Sequence, residues 1–240
     1  MKLKSILAAL LLLVAGLQTA MAQKMIVTLN DNSKVTYSIS QVKEVSFVES
    51  EEHEYVDLGL PSGTKWATCN VGASSPEEYG DYFAWGETKP KSTYNDDTYF
   101  DSDYNKYNNN GGLTELLPED DAATANWGSG WQIPSFAQIK ELCNSSYTTT
   151  EWTTLNDVYG RKITSKRNGN SIFLPAAGYR RGGECVRAGI DGNYWSSSLY
   201  PYDDNGAYDL YFGSDYWIWD HYYRSYGQTA RTDCPLPRLS

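Results

Sequence analysis

The densest concentration of recognition chemistry in this chain lies between residues 200 and 226. Tyr202, Asp203, Asp204 and Asn205 form one cluster, and Tyr216, Trp217, Trp219, His221, Tyr222 and Tyr223 form a second. Tyr200, Tyr208, Tyr211 and Tyr226 fill the gaps, with Asp209, Ser214, Asp215, Asp220 and Ser225 among them. Tyrosine mixed with Asp, Asn and Ser is the composition of antibody-like binding loops. The rings give large rigid contact area at small entropic cost, and the small polar groups adapt their hydrogen bonds. Trp and Tyr also dominate interface hot spots. The ten residues of the two clusters are therefore the candidate ligand-binding surface. Part of the aromatic set is expected to be scaffold instead: Tyr194, Trp195, Leu210 and Phe212 read as core. Ile218 is expected to point inward, with Trp217 and Trp219 on the opposite side of a strand.

Catalytic and metal chemistry are poorly represented. The two histidines are His53, in an acidic stretch where it is expected to be solvated, and His221 among the tyrosines. The sequence holds no H-E-x-x-H, P-loop, G-x-S-x-G or Rossmann glycine pattern. Carboxylates are abundant, but a glycosidase needs two at a defined separation, which abundance does not supply. No catalytic residue is assigned, and the chain is expected not to be an enzyme. Asp101, Asp103 and Asn105 match the first positions of a calcium loop. Lys106 and Gly112 then stand where that loop needs glycine and glutamate. A solvated polar loop is expected there, with no metal and no cofactor. Cys69, Cys143, Cys185 and Cys234 form no C-x-x-C or Cys/His cluster, and as disulfides they allow three connectivities.

Charge and leader set the class of partner. The net charge is −10, so the basic stripe of a nucleic-acid binder is missing. Lys2 and Lys4, the apolar run Ile6–Leu17 and Ala20-Met21-Ala22 have the form of a cleavable signal peptide over residues 1–22. The run is too short to span a bilayer comfortably, so no membrane insertion is expected after cleavage. Gln23 rather than cysteine follows the cut, which argues against a lipid anchor. Export makes disulfides possible. The expected compartment is the periplasm, the outer-membrane surface or the medium. Eight Trp are spread from Trp66 to Trp219, enough large rings to hold a loop-rich domain together.

The elements that must position the rings are mostly strands. Met25, Val27 and Leu29 alternate with polar residues, Asn30–Ser33 is a turn cluster, and Val35, Tyr37 and Ile39 alternate again. That pattern predicts a hairpin, with a third short strand at Val45 and Phe47. Residues 23–52 thus form a small β element and linker, and residues 53–240 the main domain. Ser75-Pro-Glu-Glu78 predicts a short helix, and residues 91–112 a long polar loop. Ser135 and Gln138 make a capping box ahead of a helix over 136–144, whose buried face carries Phe136, Ile139, Leu142 and Cys143. Short strands are expected at 171–174, 193–196, 207–212 and 227–231. Few helices, many short strands and frequent glycines indicate an α+β fold.

Several segments carry a resemblance. They are Tyr55–Gly72, Tyr79–Glu87, Asp120–Trp127, Trp131-Gln-Ile-Pro134, Phe173–Arg180 and Gly192–Ser198. In this order, over residues 53–231, the chain resembles the Fibrobacter succinogenes major paralogous domain family of exported bacterial proteins. The preceding β element resembles the N-terminal piece often attached to such domains. The resemblance implies a C-type lectin-like scaffold, related in fold to formylglycine-generating enzymes and to retroelement-diversified receptors. It implies a compact scaffold presenting an irregular C-terminal surface. Together with the aromatic and acidic composition of residues 200–226, the expected function is a ligand-binding module that turns this surface to an extracellular protein or glycan. A structural or adhesive surface protein is the alternative, and an enzyme of the formylglycine-generating kind a further one. The family's Val-Arg-Pro ending is replaced by Ala230-Arg-Thr-Asp-Cys234. Cys185 and Cys234 lie outside the family motifs, so if Cys69 pairs with Cys143 these two are expected to pair.

Overall fold

The computed structural model describes residues 24–28, 34–38 and 53–234. The expected leader, the turn at 30–33 and the expected strand at Val45 and Phe47 lie outside the described residues. The described residues fall in two units. The first is a hairpin of β1 (Lys24–Thr28) and β2 (Lys34–Ser38), antiparallel, with Met25 opposite Tyr37 and Val27 opposite Val35.

The second unit runs in chain order through β3 (Tyr55–Asp57), β4 (Lys65–Asn70), β5 (Tyr82–Phe83), α1 (Ala122–Trp127), α2 (Phe136–Leu142), β6 (Thr148–Leu155), β7 (Val158–Ser165) and β8 (Ser171–Pro175). It continues through β9 (Tyr179–Arg181), β10 (Glu184–Val186), β11 (Gly192–Leu199), β12 (Gly206–Phe212), β13 (Trp217–Tyr223), β14 (Gln228–Thr229) and β15 (Arg231–Cys234). The fold is α+β, mostly strand, with long irregular connections. No helix among the described residues is long and apolar enough to cross a membrane.

A five-stranded sheet, ordered β13-β12-β11-β14-β5, contributes to the two largest of three buried clusters. Successive side chains of a strand point to opposite faces. Tyr194, Leu210 and Phe212 accordingly join Trp66, Ile139 and Leu174 on one face. Trp195, Leu199 and Ala207 join Phe83, Trp85 and Trp131 on the other. Buried rings need partners for their polar atoms. The Trp195 indole N–H donates to the Phe83 carbonyl at 2.8 Å, the Trp85 indole to the Ser196 carbonyl at 2.7 Å, and the Tyr194 hydroxyl to the Pro175 carbonyl at 2.7 Å. Two three-stranded sheets, β15-β4-β3 and β6-β7-β8, and the pair β9-β10 complete the unit.

Local rules account for several elements. The Ser135–Gln138 capping box is present, and α2 buries Ile139 and Leu142. The β6–β7 hairpin turns at Asn156 and Asp157, both at positive φ as a two-residue primed turn requires. The α1 helix starts at Asp121, whose carboxylate accepts from the Ala123, Thr124 and Ile133 N–H groups at 2.8–2.9 Å. Neither this helix nor the β6–β7 hairpin is among the sequence expectations, although Asn-Asp between alternating strands is a hairpin signal.

Three expectations need correction. Ser75–Glu78 is a turn, because the Glu78 carboxylate folds back onto the Ser74 N–H at 2.7 Å. The final strand is two strands: β14 closes onto the central sheet, Ala230 breaks the run, and β15 crosses to pair with β4. No disulfide joins the four cysteines, so neither Cys69 with Cys143 nor Cys185 with Cys234 is paired. Cys69 and Cys234 lie on paired strands, but Cys234 stands opposite Lys65. That leaves Cys69 four residues away, roughly 13 Å at the strand rise, beyond disulfide reach. Cys143 is packed behind α2, where burial pushes its thiol up to about 12.

The polar stretch 91–112 is irregular, as expected, but it is not a solvated loop. Tyr94, Tyr99, Asp101 and Tyr107 are buried. Arg224 holds the last three: its Nη2 meets Asp101 Oδ2 at 2.7 Å, its Nε donates to the Tyr99 hydroxyl, and its Nη1 donates to the Tyr107 and Asp204 carbonyls. Removing one partner of a buried pair strands the other. Arg224→Met should therefore destabilise the protein by about 3–5 kcal/mol, read as a lower urea midpoint. A loss below about 1 kcal/mol would mean that Asp101 is rehydrated at little cost.

Candidate functional site

The β12–β13 hairpin carries the second predicted cluster, and the turn into β12 carries the first. The registers Phe212↔Trp217, Leu210↔Trp219 and Tyr208↔His221 put these six on one face of the hairpin. Tyr211↔Ile218, Asp209↔Asp220 and Ala207↔Tyr222 occupy the other.

The first face ends in a continuous aromatic strip. The Tyr200 and His221 rings stack at 3.8 Å, and Phe136 stacks on Tyr208 at 3.6 Å. Tyr200 touches Tyr208 and Tyr202 edge-on, at 5.3 and 5.5 Å. Trp219 closes the strip against Phe136 at 4.9 Å. Lys140 of α2 lies over the Phe136 ring at 4.6 Å. Tyr202 is 84% exposed and Trp219 46% exposed, so the strip presents both edges and faces to solvent. Asp220 Oδ1 lies 3.2 Å from the His221 Nδ1. On the opposite face Tyr222 gathers with Tyr179 and Tyr226, and Tyr223 at the strand end touches Tyr222 and Tyr226, the ring centroids lying 5.0–6.2 Å apart. Tyr223 is 55% exposed. Beside this group a cleft of about 510 Å³ is lined by Tyr94, Asp96, Tyr179, Arg181, Glu184 and Tyr226.

The ten predicted residues do not form one patch. Tyr202, Trp219 and His221 belong to the first strip, and Tyr222 and Tyr223 to the second. Trp217 is packed against the buried cluster of Leu210 and Phe212, with the Arg161 guanidinium 6.0 Å from its ring. Tyr216 is tied down: its hydroxyl donates to Asp191 at 2.5 Å and shares a bond with Tyr211, and burial raises its pKa. Asp204 Oδ1 accepts from the Asn109 backbone and side chain at 2.8 and 2.7 Å. The Asp203 carboxylate caps the Asn205 N–H at 3.0 Å, and Asn205 accepts from the Tyr104 hydroxyl. These acids shape the turn as much as they face outward. Ile218 was expected inside and is 45% exposed. The alternation holds with the faces exchanged, because Trp217 lies beside Phe212 while Ile218 lies beside Tyr211 on the other face, next to the turn of the hairpin.

Residues outside the ten also contribute. Phe136, read as a buried helix residue, is half-buried and caps the strip. Tyr200, Tyr208, Tyr179, Tyr226 and Arg181 join the two faces. The spacing Tyr200-x-Tyr202 around a turn was a signal for the first of these. Nothing local marks Phe136. His53 is not simply solvated: it stacks on Trp127 at 3.8 Å. Among the described residues no three His, Cys, Asp or Glu side chains form a metal-binding group.

Two carboxyls are strongly shifted, and both are in the interior. Burial pushes Asp209 up to about 7, against hydrogen bonds from Asn193 and Gln228. Burial pushes Asp233 up to about 7, against hydrogen bonds from Gln138 and Gln132. Both side chains belong to fully buried residues.

No family model matches the chain, and no curated protein or solved structure matches it significantly.

The buried acids set a pH dependence. Each folded-state pKa lies above the unfolded value near 3.8, so the folded protein binds more protons between pH 4 and 7. Their contribution is fully present below about pH 4 and is lost as pH rises to 7, at about 1.4 kcal/mol per pH unit for each group. Urea unfolding across that range should show stability falling, then levelling above pH 7. Asp209→Asn should flatten the slope by about half, and an unchanged slope would assign it elsewhere.

Proposed function

We propose that this chain is an exported bacterial ligand-binding module on a C-type lectin-like scaffold, akin to the Fibrobacter succinogenes major paralogous domains. Its β12–β13 hairpin presents aromatic surfaces to an extracellular protein or glycan. The observation that carries this reading is the solvent-facing strip of Tyr200, Tyr202, Tyr208, Trp219, His221 and Phe136. The protein already has ample rings in its core, so a second contiguous set at the surface is not needed for packing. Exposed aromatic patches of this kind mark interaction sites.

Binding is favoured over catalysis for a physical reason. A general acid or base must touch substrate. The two carboxyls with pKa values near 7 are sealed in the core and carry no solvent access. The negative net charge opposes nucleic acid as a ligand. A structural or adhesive role is the second reading, supported by the β1–β2 hairpin. Its Ile26, Val35 and Tyr37 side chains are exposed, and a lone two-stranded hairpin needs further packing to be stable.

Glycan and protein arrays test the reading with three variants. Trp219→Ala should weaken any captured ligand by at least about tenfold, the effect of losing a hot-spot ring. Tyr222→Ala tests the second face in the same way. Trp217→Ala should lower stability and leave affinity within about twofold. Retention of every array signal by both Trp219→Ala and Tyr222→Ala would remove the proposed surface.

A further inference from the structure

The outer edge of β13 is open. β13 pairs with β12 on one side and with no described strand on the other. The Gly213 N–H donates to the Tyr216 carbonyl at 3.1 Å. Hydrogen-bonded and non-hydrogen-bonded pairs alternate from there. Ile218, Asp220 and Tyr222 therefore direct their backbone groups to β12, and Trp217, Trp219, His221 and Tyr223 direct theirs outward. The Tyr223 carbonyl is met by the Tyr226 N–H at 3.0 Å. The His221 N–H is met by the Asp220 carboxylate at 2.9 Å. Among the described residues, Trp217 and Trp219 have no outward backbone partner.

Proteins usually blunt such an edge with lysine, proline, a bulge or a covering loop. β13 has none of the first three: its seven residues pair with β12 in unbroken register. Its single carboxylate is Asp220, at the centre of the strand, directly across from Asp209. We propose that this edge accepts an extended segment of a partner polypeptide as a sixth strand of the central sheet, with a Lys or Arg of that segment set beside Asp220.

Main-chain hydrogen bonds would supply affinity, and alternate side chains specificity. Trp219 and His221 flank the added strand on one face, and Ile218 and Tyr222 on the other. Charge chooses the occupant. Self-pairing about the midpoint of β13 would set Asp220 against Asp220 of a second copy, and like charges directly opposite are destabilising. The net charge of −10 opposes a second copy further. A cationic side chain in the same place is attracted by Asp220 and offsets its repulsion with Asp209. This inference rests on the binding-surface reading above and narrows its partner to an extended, basic peptide.

Two fluorescent peptides test it, each alternating Thr and Val over roughly ten residues, one with a central Arg and the other with a central Glu. Fluorescence anisotropy should show the Arg peptide binding at least about tenfold tighter than the Glu peptide, with Asp220→Asn removing the difference. Trp219→Pro deletes an outward N–H that β12 does not use, so it should weaken the Arg peptide by about tenfold beyond Trp219→Ala. Amide exchange gives a readout free of substitutions: the Trp217 and Trp219 N–H groups of the wild type should become protected when the Arg peptide binds. Equal affinity for both peptides, no added protection, or a dimer of the peptide-free protein in sedimentation would each overturn edge addition. If array ligands still depend on Trp219 in that case, the aromatic surface survives without the strand. If they do not, the surface itself fails.

Discussion

The buried guanidinium of Arg224 is the constraint around which the candidate surface is organised. A charge removed from water is tolerated only when it is paired and its donors are met. Arg224 is fully buried and satisfies this with Asp101, the Tyr99 hydroxyl and two carbonyls, inside a cage of Trp85, Tyr99 and Tyr104 rings 4.8–5.3 Å away. Its backbone is equally engaged, with its N–H on the Asn205 carbonyl and its carbonyl on the Trp85 N–H. One side chain therefore ties the polar stretch 91–112, the turn at 203–205 and the end of β13 to the core. The geometry of the Tyr202 turn follows from that anchor.

Arg161 does the equivalent at the other end of the hairpin. Its Nε and Nη2 meet the Gly213, Ser214 and Tyr216 carbonyls at 2.9–3.2 Å, and its Nη1 meets Thr150 at 2.9 Å. The β12–β13 hairpin is thus held at its tip by one arginine and at its base by another. Its middle, where Trp219 and His221 sit, is left to face solvent. A rigid frame around an exposed aromatic middle limits the ordering entropy that a ligand must overcome.

Asp209 links the hairpin to the interior. It lies opposite Asp220 on the adjacent strand, and its carboxyl is held by Asn193 and Gln228 in a site with no water access. Burial is what drives the Asp209 carboxyl toward its neutral form, and the nearby Asp220 adds a smaller push in the same direction.

Period-two alternation, capping residues and turn chemistry are local. They sufficed to determine, from the sequence by itself, the β1–β2 hairpin, the Ser135-capped helix, the strand at 207–212 and the core role of Tyr194, Trp195, Leu210 and Phe212. Alternation also established that Trp217 and Trp219 share a side and Ile218 takes the other. It could not say which side is inside, because that depends on what packs against each face. Tertiary structure decided it: Trp217 meets the interior through Phe212, and Trp219 meets Phe136 of α2 and Tyr208 at the half-exposed strip. Tertiary structure likewise paired Arg224 with Asp101, 123 residues apart, and turned an apparent polar loop into part of the core. It also held Cys69 and Cys234 out of register on paired strands. Such outcomes come from contacts between distant segments, whose partners no local pattern encodes.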